Sequence, residues 1–486
     1  MGAPITLSQL LAGIANVPAQ ADRPVQALQI DSRQVSAGDV FVAMPGVSAD
    51  GRRFVADAVA RGAAAVLIES NGELPDSDVP TIAVTNLNQR LGIIADRLYG
   101  EPSTDLVVVG VTGTNGKTTC TQLLAQAIDG MKSRRCGIIG TLGYGYHGAL
   151  DASLHTTPDA INVHRLLARF RADGATHAAM EVSSHALDQG RVNAVRFAVA
   201  VFTNLTRDHL DYHGDMQHYG ASKAALFRWP GLRAAVINAD DDFGRALIAG
   251  MPDGVRVLGY GLKGGDVRAR EVKPSRDGLH LVVETPLGVA TIDSPLFGRF
   301  NASNLLAVMA VLIALDVPLA EAARRLTQAQ AADGRTERFG GTSGRPLVVV
   351  DYAHTPDALE QVLKALREHT TGRLICVFGC GGDRDRGKRP IMGRLAELLA
   401  DEVILTDDNP RRESPAAILA DIRAGMSRAP AIMHDRRAAI AAAIARAGAG
   451  DIVLVAGKGH EDYQEISGVR HPYSDRATVR ELVDAA

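Results

Sequence analysis

The chain has 486 residues, of which 46% are hydrophobic and 22% charged, and its formal net charge at pH 7 is -3. This length predicts about three domains, and the near balance of charge argues against a nucleic-acid-binding protein, which normally has a basic excess. The 4 cysteines are too few for a disulfide framework, and neither a signal peptide nor a membrane span is evident. We therefore expect a soluble cytoplasmic enzyme.

Residues 1–87 are predicted to form a first domain of short strands and helices. Apolar runs at 28–30, 40–43 and 65–68 predict strands, and the segment 51–62 has the spacing of an amphipathic helix. A turn at Asp31-Ser32-Arg33 follows the first strand. A further helix, over residues 87–99, leads into the next domain.

The stretch 106–119, LVVVGVTGTNGKTT, is the strongest functional signal in the chain. An apolar strand over 106–111, a glycine-bearing turn and a helix over 117–126 form the pattern of a phosphate-binding loop. Lys117 is positioned to reach the terminal phosphates of a nucleotide, and the Thr118 hydroxyl to bind Mg²⁺. Val111 occupies a position where the usual P-loop has glycine, so the loop is a variant.

Strands and helices alternate from this loop onward, which predicts a doubly wound α/β domain over residues 88–332. Its further strands are predicted at 136–140, 177–182, 198–203 and 234–238. The β-rich segment 255–297, with a hairpin at 285–288, predicts a small appended sheet. An apolar helix is predicted over 304–315.

A third α/β domain, Rossmann-like, is predicted over residues 333–486, after the turn at Asp333-Gly334. Its strands are expected at 347–351, 374–378, 403–405 and 452–456. The predicted fold class is therefore α/β, with three consecutive domains.

Three polar residues of the central domain are candidates for the site, two after predicted strands and one, Lys223, on a probable helix. Ligands in open α/β sheets bind at the carboxyl ends of the strands, so Glu181 should face the phosphate loop and support Mg²⁺. His209 follows the next strand and is a candidate metal or substrate ligand, although a lone histidine is as often structural. Lys223 is either a solvated surface lysine or, if buried beside a metal, an amine able to react with carbon dioxide.

Polar loops also follow the strands of the third domain. Asp351 could hold a ribose hydroxyl, and the segments 378–390, 407–411 and 457–461 each begin where a strand ends. Each alone is typical of a polar turn. Because the carboxyl ends of parallel strands lie along one edge, we expect these three loops to share one rim.

The motifs T-G-T-N-G-K-T-T, E-V-S-S-H, T-N-L-x-x-D-H-L-D-Y-H-G, D-Y-A-H-T-P-D-A-L, G-C-G-G-D-R-D-x-G-K-R-P and D-N-P-R occur in this order. With them, the chain resembles the Mur ligases, ATP-dependent enzymes that form amide bonds, and in particular the branch that adds the third residue of the peptidoglycan stem peptide. The resemblance implies a monomer that uses ATP and Mg²⁺. Its substrates would be UDP-N-acetylmuramoyl-L-alanyl-D-glutamate and meso-diaminopimelate, joined through an acyl phosphate.

The resemblance also implies roles for individual residues. Catalysis would rest on Lys117, Lys223, Glu181 and His209, and the metal would be bound by Thr118, Glu181, His209 and Lys223, the last as N6-carboxylysine. ATP would be bound by Gly113, Thr114, Asn115, Gly116, Lys117, Thr118, Thr119, Asn301, Arg335 and Asp351. The UDP-substrate would be bound by Ile30, Ser32, Val47, Ser48, Ala49, His155, Thr156, Thr157, Ser183, Gln189 and Arg191. Meso-diaminopimelate would be bound by Arg384, Asp408, Asn409, Pro410, Arg411, Gly457 and Glu461.

Three alternatives remain open at this point. A relative could add L-lysine instead of meso-diaminopimelate. Folylpolyglutamate synthetase shares the ATP loop and reaction type but lacks the first domain with Asp31-Ser32-Arg33. A regulatory nucleotide-binding module would bind ATP without turnover.

Overall fold

The computed structural model describes residues 5–45, 50–70, 77–153, 155–342 and 344–485. Its backbone contacts group the chain into two compact units, Met1–Leu258 and Gly259–Ala486.

The first unit begins with a four-stranded parallel sheet whose strands pair in chain order. These strands are β1 (Leu28–Gln29), β2 (Val40–Ala43), β3 (Ala65–Glu69) and β4 (Thr81–Val84), and the helices are α1 (Leu7–Leu10), α2 (Val55–Ala60) and α3 (Leu87–Leu98). The helix predicted over 51–62 begins instead as a 3₁₀ turn, Gly51–Phe54, capped by the Asp50 carboxylate. The sequence analysis missed β4, which directly follows Pro80.

The second sheet of this unit carries the phosphate loop. Its strands are β5 (Val107–Thr112), β6 (Cys136–Gly140), β7 (Gly143–Tyr146), β8 (Ala149–Asp151), β9 (His177–Glu181), β10 (Phe197–Phe202) and β11 (Ala234–Asn238). They lie in the order β11-β10-β5-β9-β6-β7-β8, parallel up to β6 and then antiparallel. Helices cover both faces, so the central strands are almost wholly apolar.

The helices of this part are α4 (Lys117–Asp129), α5 (Ala160–Ala172), α6 (Ser184–Asp188), α7 (Leu210–His213), α8 (Met216–Ala224) and α9 (Asp242–Ala249). The predicted strands and the helix after the phosphate loop are confirmed within one to three residues, whereas the hairpin of β7 and β8 was not predicted.

The second unit opens with three antiparallel strands, β13 (Val267–Ser275), β14 (Gly278–Thr285) and β15 (Gly288–Ser294). Strand β12 (Arg256–Gly261) crosses the unit boundary and pairs parallel with β13. The helices α10 (Arg299–Ala314) and α11 (Leu319–Gln328) follow. The predicted hairpin is confirmed, because Thr285 pairs with Gly288. Helix α10 begins at Arg299 rather than at residue 304, and it contains Asn301 and Asn304, which are buried and hydrogen-bond to each other.

The remainder of this unit is a six-stranded sheet with helices on both faces. Its strands are β16 (Glu337–Gly340), β17 (Leu347–Asp351), β18 (Leu374–Phe378), β19 (Glu402–Leu405), β20 (Ala431–Ile432) and β21 (Ile452–Ala456), and a small hairpin adds β22 (Tyr463–Ile466) and β23 (Val469–Pro472). The order is β16-β17-β21-β18-β19-β20, parallel except for β16. The helices are α12 (Pro356–Glu368), α13 (Lys388–Leu399), α14 (Pro415–Arg423), α15 (Arg436–Arg446) and α16 (Asp475–Ala485).

The predicted α/β fold class is confirmed by these sheets. All 4 cysteines are buried free thiols. Across the described ranges, no helix combines the length and apolar character needed to cross a bilayer.

Candidate active site

The loop between β5 and α4 is held in shape by the segment that follows β10. Gly113 has φ +144° and Gly116 has φ +87°, conformations that favour glycine. A Cβ at Gly113 would lie 1.9 Å from the Thr203 hydroxyl oxygen. The Thr114 N–H donates to the Asn204 carbonyl at 2.8 Å. The result is a fixed turn at the N-terminus of α4, where backbone N–H groups and the helix dipole favour an anion.

Lys117 lies over this turn. Its ammonium donates to the carbonyl oxygens of Gly113 and Thr114, each at 2.9 Å. Asn115 is exposed at the tip of the loop, and Thr119 is half-buried in the first turn of α4. The structure therefore brings the predicted nucleotide-binding residues 113–119 together in one turn.

Glu181 is a buried carboxylate beside the loop, as its position at the end of β9 predicts. It is 1% exposed, and β9 pairs with β5 so that Glu181 lies opposite Val111. The Thr118 hydroxyl donates to Oε2 at 3.0 Å, and the Thr141 N–H donates to Oε1 at 2.8 Å. A Cβ at Gly140 would lie 2.3 Å from Oε1, so this glycine leaves room for the carboxylate.

The Thr118 hydroxyl and the Glu181 carboxylate fit a magnesium ion. Mg²⁺ prefers oxygen ligands and is usually bound by one or two carboxylates together with substrate phosphates. Over the described ranges of the chain, no group of three His, Cys, Asp or Glu side chains is placed to hold a metal. The fit therefore rests on this hydroxyl–carboxylate pair.

Lys223 is buried against the same loop. It is 1% exposed, its Nζ donates to the Gly113 carbonyl at 2.9 Å, and it lies 4.4 Å from the centre of the Tyr219 ring. Burial, with the nearby charge of Lys117, lowers the pKa of Lys223 to about 6. Of the two alternatives for Lys223, the prediction of a solvated surface lysine is wrong, because the side chain is buried.

His209 lies in a cluster of rings next to the loop. Its ring centre is 4.9 Å from that of His185 and 6.1 Å from that of Tyr219, whose hydroxyl is 3.2 Å from the Thr114 hydroxyl. The side chain is half exposed, and its Nε2 lies 3.5 Å from the Asp208 carboxylate. Its role as a metal ligand stays a prediction.

The predicted muramoyl-dipeptide residues gather around Glu181. The Thr157 hydroxyl donates to the Glu181 carbonyl at 2.8 Å and accepts from the Ser183 N–H at 3.1 Å. The Arg191 guanidinium donates to the Thr157 carbonyl at 2.9 Å and to Gln189 Oε1 at 2.6 Å. Burial lowers the pKa of Arg191. These side chains therefore form one polar surface next to the phosphate loop.

Two further predicted residues border this surface. The Thr156 hydroxyl is 2.9 Å from the Thr141 hydroxyl, which itself donates to Glu181. The carbonyl of His155 accepts from the Tyr144 hydroxyl at 2.6 Å, while its side chain is exposed.

Two of the predicted nucleotide-sugar residues, Ile30 and Ser32, lie just after β1. Ile30 follows β1 and is 41% exposed, whereas Ser32 is buried in a 3₁₀ turn capped by Asp31. Val47, Ser48 and Ala49 lie outside the described residues. The structure thus places Ile30 and Ser32 at the end of β1, and their contacts with a nucleotide-sugar stay a prediction.

In the second unit, the predicted amino-acid loops share one rim, as expected from their positions after parallel strands. Asn409 Nδ2 donates to Glu461 Oε2 at 2.9 Å, which joins the loops after β19 and β21. A Cβ at Gly457 would lie 2.5 Å from Asp408 Oδ2, so the contact between these loops requires glycine. Asp408 is 8% exposed and accepts from the Asn409 N–H.

The loop after β18 joins the same rim through Arg411. Its guanidinium donates to the Gly382 carbonyl at 2.8 Å and lies 3.6 Å from the Glu465 carboxylate. Arg411 directly follows Pro410 and has φ +51°. Arg384, in the neighbouring loop, is exposed and donates to the Asp383 carbonyl at 3.4 Å.

The remaining predicted ATP residues form a second group in this unit. The Asp351 carboxylate accepts from the Thr336 and Ala353 N–H groups at 2.7 and 2.8 Å, and burial raises its pKa. The Arg335 guanidinium lies 4.9 Å from the centre of the Tyr352 ring. Asn301 is buried and donates to the Thr336 hydroxyl at 3.2 Å.

Several buried groups that shape these sites were not among the predicted site residues. Lys458 and Arg389 are fully buried. The Thr141 N–H binds Glu181, and the Asn204 carbonyl binds the phosphate loop. The positions of Arg389 and Lys458 in polar motifs could have drawn attention to them. Sequence patterns do not reveal which charged residue of such a motif is buried.

The parallel sheet, the glycine turn and the Lys117-Thr118 pair at the start of a helix define a nucleotide-binding α/β protein of the P-loop class. Matches to protein-family models agree with this class, and all of them are to domains of one family within it. Residues 24–99 match the Mur ligase family catalytic domain, residues 111–312 the Mur ligase middle domain, and residues 334–459 the Mur ligase glutamate ligase domain.

The similarity to known proteins covers nearly the whole chain. A UDP-N-acetylmuramoyl-L-alanyl-D-glutamate–2,6-diaminopimelate ligase from Pseudomonas aeruginosa is 55% identical over 478 residues, covering 97% of this chain and 96% of that protein. A ligase of the same name from Chromobacterium violaceum is 53% identical and covers 96% of each chain. A solved structure of a ligase with this name is 38% identical, with a TM-score of 0.76 and 99% of each chain covered. The chain belongs to the Mur ligase family, which confirms the predicted resemblance and the prediction of an enzyme of the ligase class.

Proposed function

We propose that this enzyme adds meso-diaminopimelate to the D-glutamate γ-carboxylate of UDP-N-acetylmuramoyl-L-alanyl-D-glutamate, with cleavage of ATP to ADP and phosphate. The relatives that are 55% and 53% identical carry a name that states this pairing of substrates. The observation in the structure that carries the proposal is the position of Glu181, whose carboxylate binds Thr118 of the phosphate loop and whose carbonyl binds Thr157 of the polar surface. One residue thus joins the two places where a phosphate donor and a carboxylate acceptor would bind.

The chemistry proceeds in two steps. First, an oxygen of the substrate γ-carboxylate attacks the γ-phosphorus of ATP, and the bond to ADP breaks to give an acyl phosphate. The neutral amine of meso-diaminopimelate then attacks the acyl carbon, and phosphate leaves as the amide forms and a proton is released. A carboxylate is a poor electrophile, and phosphorylation gives it a leaving group.

Lys117 stabilises the transition state of the first step, because its ammonium offsets the negative charge that accumulates as phosphate and carboxylate approach. Magnesium held by Thr118 and Glu181 would supply further positive charge at the phosphates. His209 and Lys223 are assigned as further ligands of magnesium near the phosphate loop. Residues 113–119, with Asn301, Arg335 and Asp351, are assigned to ATP.

Lys223 is proposed to carry a carbamate. The neutral amine attacks carbon dioxide, the N–C bond forms, and one proton leaves, which turns a buried amine into a carboxylate able to bind Mg²⁺. Its burial, the hydrogen bond from its Nζ to the Gly113 carbonyl and the lowered pKa of the amine all support this proposal. A neutral amine is required for the reaction.

The UDP-substrate is assigned to the nucleotide-sugar residues of the first sheet and to the polar surface around Glu181. Residues 46–51 with Ile30 and Ser32 would bind the uridine end, and the muramoyl-dipeptide would lie along the surface formed by His155, Thr156, Thr157, Ser183, Gln189 and Arg191. On this surface, the guanidinium of Arg191 would bind a carboxylate of the anionic peptide.

The amino acid is assigned to the rim of the second unit. Arg411 and Arg384 would bind the distal carboxylate of meso-diaminopimelate, and Asp408 and Glu461 its ammonium groups. Asn409 would contribute an amide. Gly457 would allow the two loops to approach closely, and Pro410 would make the turn rigid.

We further propose that the enzyme is a cytoplasmic monomer built from domains at residues 1–87, 88–332 and 333–486.

The test is phosphate release from ATP with purified enzyme and UDP-N-acetylmuramoyl-L-alanyl-D-glutamate, in parallel with meso-diaminopimelate, L-lysine, L-ornithine or no amino acid. We expect release only when both substrates are present, with meso-diaminopimelate strongly preferred. Equal use of L-lysine would favour the lysine-adding alternative. Turnover with a folate and glutamate would favour a folylpolyglutamate synthetase, and ATP binding without turnover in any reaction would favour a regulatory module.

A further inference from the structure

Lys458 is a fully buried lysine in the loop that follows β21. Its relative exposure is 0%. Charged lysine side chains are rarely buried unless they are paired, because taking an ammonium out of water is costly. The contacts that offset this cost therefore point to the role of the residue.

Both side-chain hydrogen bonds of Lys458 reach residues assigned to meso-diaminopimelate. Its Nζ donates to Asn409 Oδ1 at 3.0 Å and to Glu461 Oε2 at 3.1 Å. Asn409 Nδ2 donates to the same Glu461 oxygen at 2.9 Å. The three side chains form a closed ring across the loops that follow β19 and β21.

This ring fixes two orientations. The Asn409 amide has its oxygen toward Lys458 and toward the Glu465 N–H, which donates at 2.9 Å, so a flipped amide would face donors with its NH₂ group. For Glu461, both side-chain hydrogen bonds reach Oε2, and this directs Oε1 away from the ring. An oriented amide and an oriented carboxylate are what the recognition of an ammonium group requires.

We propose that Lys458 is a positioning residue for the amino-acid substrate, acting through Asn409 and Glu461. The inference rests on the proposed function, since it assumes that these two residues bind meso-diaminopimelate. Lys458 itself does not touch the substrate. It neutralises part of the charge of Glu461 and holds the carboxylate and the amide in the binding geometry.

The test compares the kinetics of Lys458→Met and Lys458→Gln with those of the wild type. Loss of two charge-assisted hydrogen bonds should raise KM for meso-diaminopimelate about tenfold to a hundredfold. KM for ATP and for the UDP-substrate should stay within about twofold, because those sites do not involve the ring. Lys364→Met is the matched control, since Lys364 is an exposed lysine paired with Glu360 in the same unit.

Coupling provides a second readout that a purely structural role would not give. In a Glu461→Gln background, Lys458→Met should raise KM for meso-diaminopimelate much less than it does in the wild type. If Lys458→Met fails to fold, Lys458→Gln, which keeps a hydrogen-bond donor, decides the question. An unchanged KM for meso-diaminopimelate in the folded variants, or an equal rise in all three KM values, would overturn the inference. A wild-type enzyme inactive with meso-diaminopimelate would instead overturn the proposed function.

Discussion

Lys117 and Lys223 share one acceptor, the carbonyl oxygen of Gly113, which each side-chain nitrogen reaches at 2.9 Å. Two cationic groups on one oxygen repel each other. Burial and this repulsion lower the pKa of Lys223 to about 6. The two lysines of the loop are therefore different chemically: Lys117 suits the binding of phosphate, and Lys223 suits chemistry that needs a neutral amine.

Replacing Lys117 by alanine should lower turnover by about a thousandfold, the loss expected when a preorganised positive group is removed from a site where charge accumulates. The fold should be intact, as judged by circular dichroism and thermal unfolding. Phosphate release is the measurement, and Lys132→Ala, which removes an exposed lysine of the same unit, is the control. Near-normal phosphate release by Lys117→Ala would mean that this loop is not the phosphate site.

Lys223→Ala should be almost inactive and should regain part of its activity with short carboxylic acids, which can replace the lost carbamate. The reason is that only a carboxylate at this position can take part in binding Mg²⁺. Incubation of the wild type with ¹³C-labelled bicarbonate should give a carbamate signal in the NMR spectrum that Lys223→Ala lacks. An identical spectrum for both proteins would contradict the modification.

Gly140→Ala should disturb the site through Glu181. The added Cβ would lie 2.3 Å from Oε1 of the carboxylate, so Glu181 must move. A displacement of about 1 Å at such a position can lower activity on the order of a hundredfold. Gly264→Ala is the matched control, because its added Cβ has no neighbour within 4 Å. Equal activity of the two variants would show that the position of Glu181 does not matter.

Arg411→Ala should raise KM for meso-diaminopimelate by about tenfold or more while KM for ATP stays unchanged. Arginine binds a carboxylate through two parallel hydrogen bonds, and the distal carboxylate is what separates meso-diaminopimelate from L-lysine. The variant should therefore also lose most of its preference over L-lysine. Arg412→Ala, which removes the exposed neighbouring arginine, should behave as the wild type. A wild type that uses both amino acids equally would rule out this explanation.

Glu413 should contribute stability that is lost in acid. Hydrogen bonds from the buried Arg389 lower the pKa of the Glu413 carboxyl to about 2, from 4.5. A lowered folded-state pKa means that the contribution is complete above about pH 4.5 and disappears as the pH falls toward 2. The difference in urea midpoint between the wild type and Glu413→Gln should therefore shrink between pH 7 and pH 3. Glu360→Gln, at a partly exposed glutamate paired with Lys364, is the control, and a constant difference would contradict the prediction.

The sequence by itself determined most of the buried parallel strands, the phosphate loop and the order of the polar motifs. Buried parallel strands are written as short apolar runs, and a glycine turn before Lys117 is a local pattern, so both can be detected without tertiary contacts. The rule that ligands bind at the carboxyl ends of parallel strands then placed Glu181 beside the phosphate loop, and the loops of Asn409 and Glu461 on one rim. Motif resemblance assigned the family.

Tertiary structure alone decided which charged groups are buried and what they contact. Lys223 lies among small residues in the sequence and was equally compatible with a solvated surface, yet its amine donates to Gly113, which is 110 positions away along the chain. Lys458 and Arg389 likewise have partners distant in sequence, Asn409 for Lys458 and both Glu413 and Asp421 for Arg389. The physical reason is that the cost of burying a charge is offset by groups distant in sequence, and no local pattern records where those groups will lie.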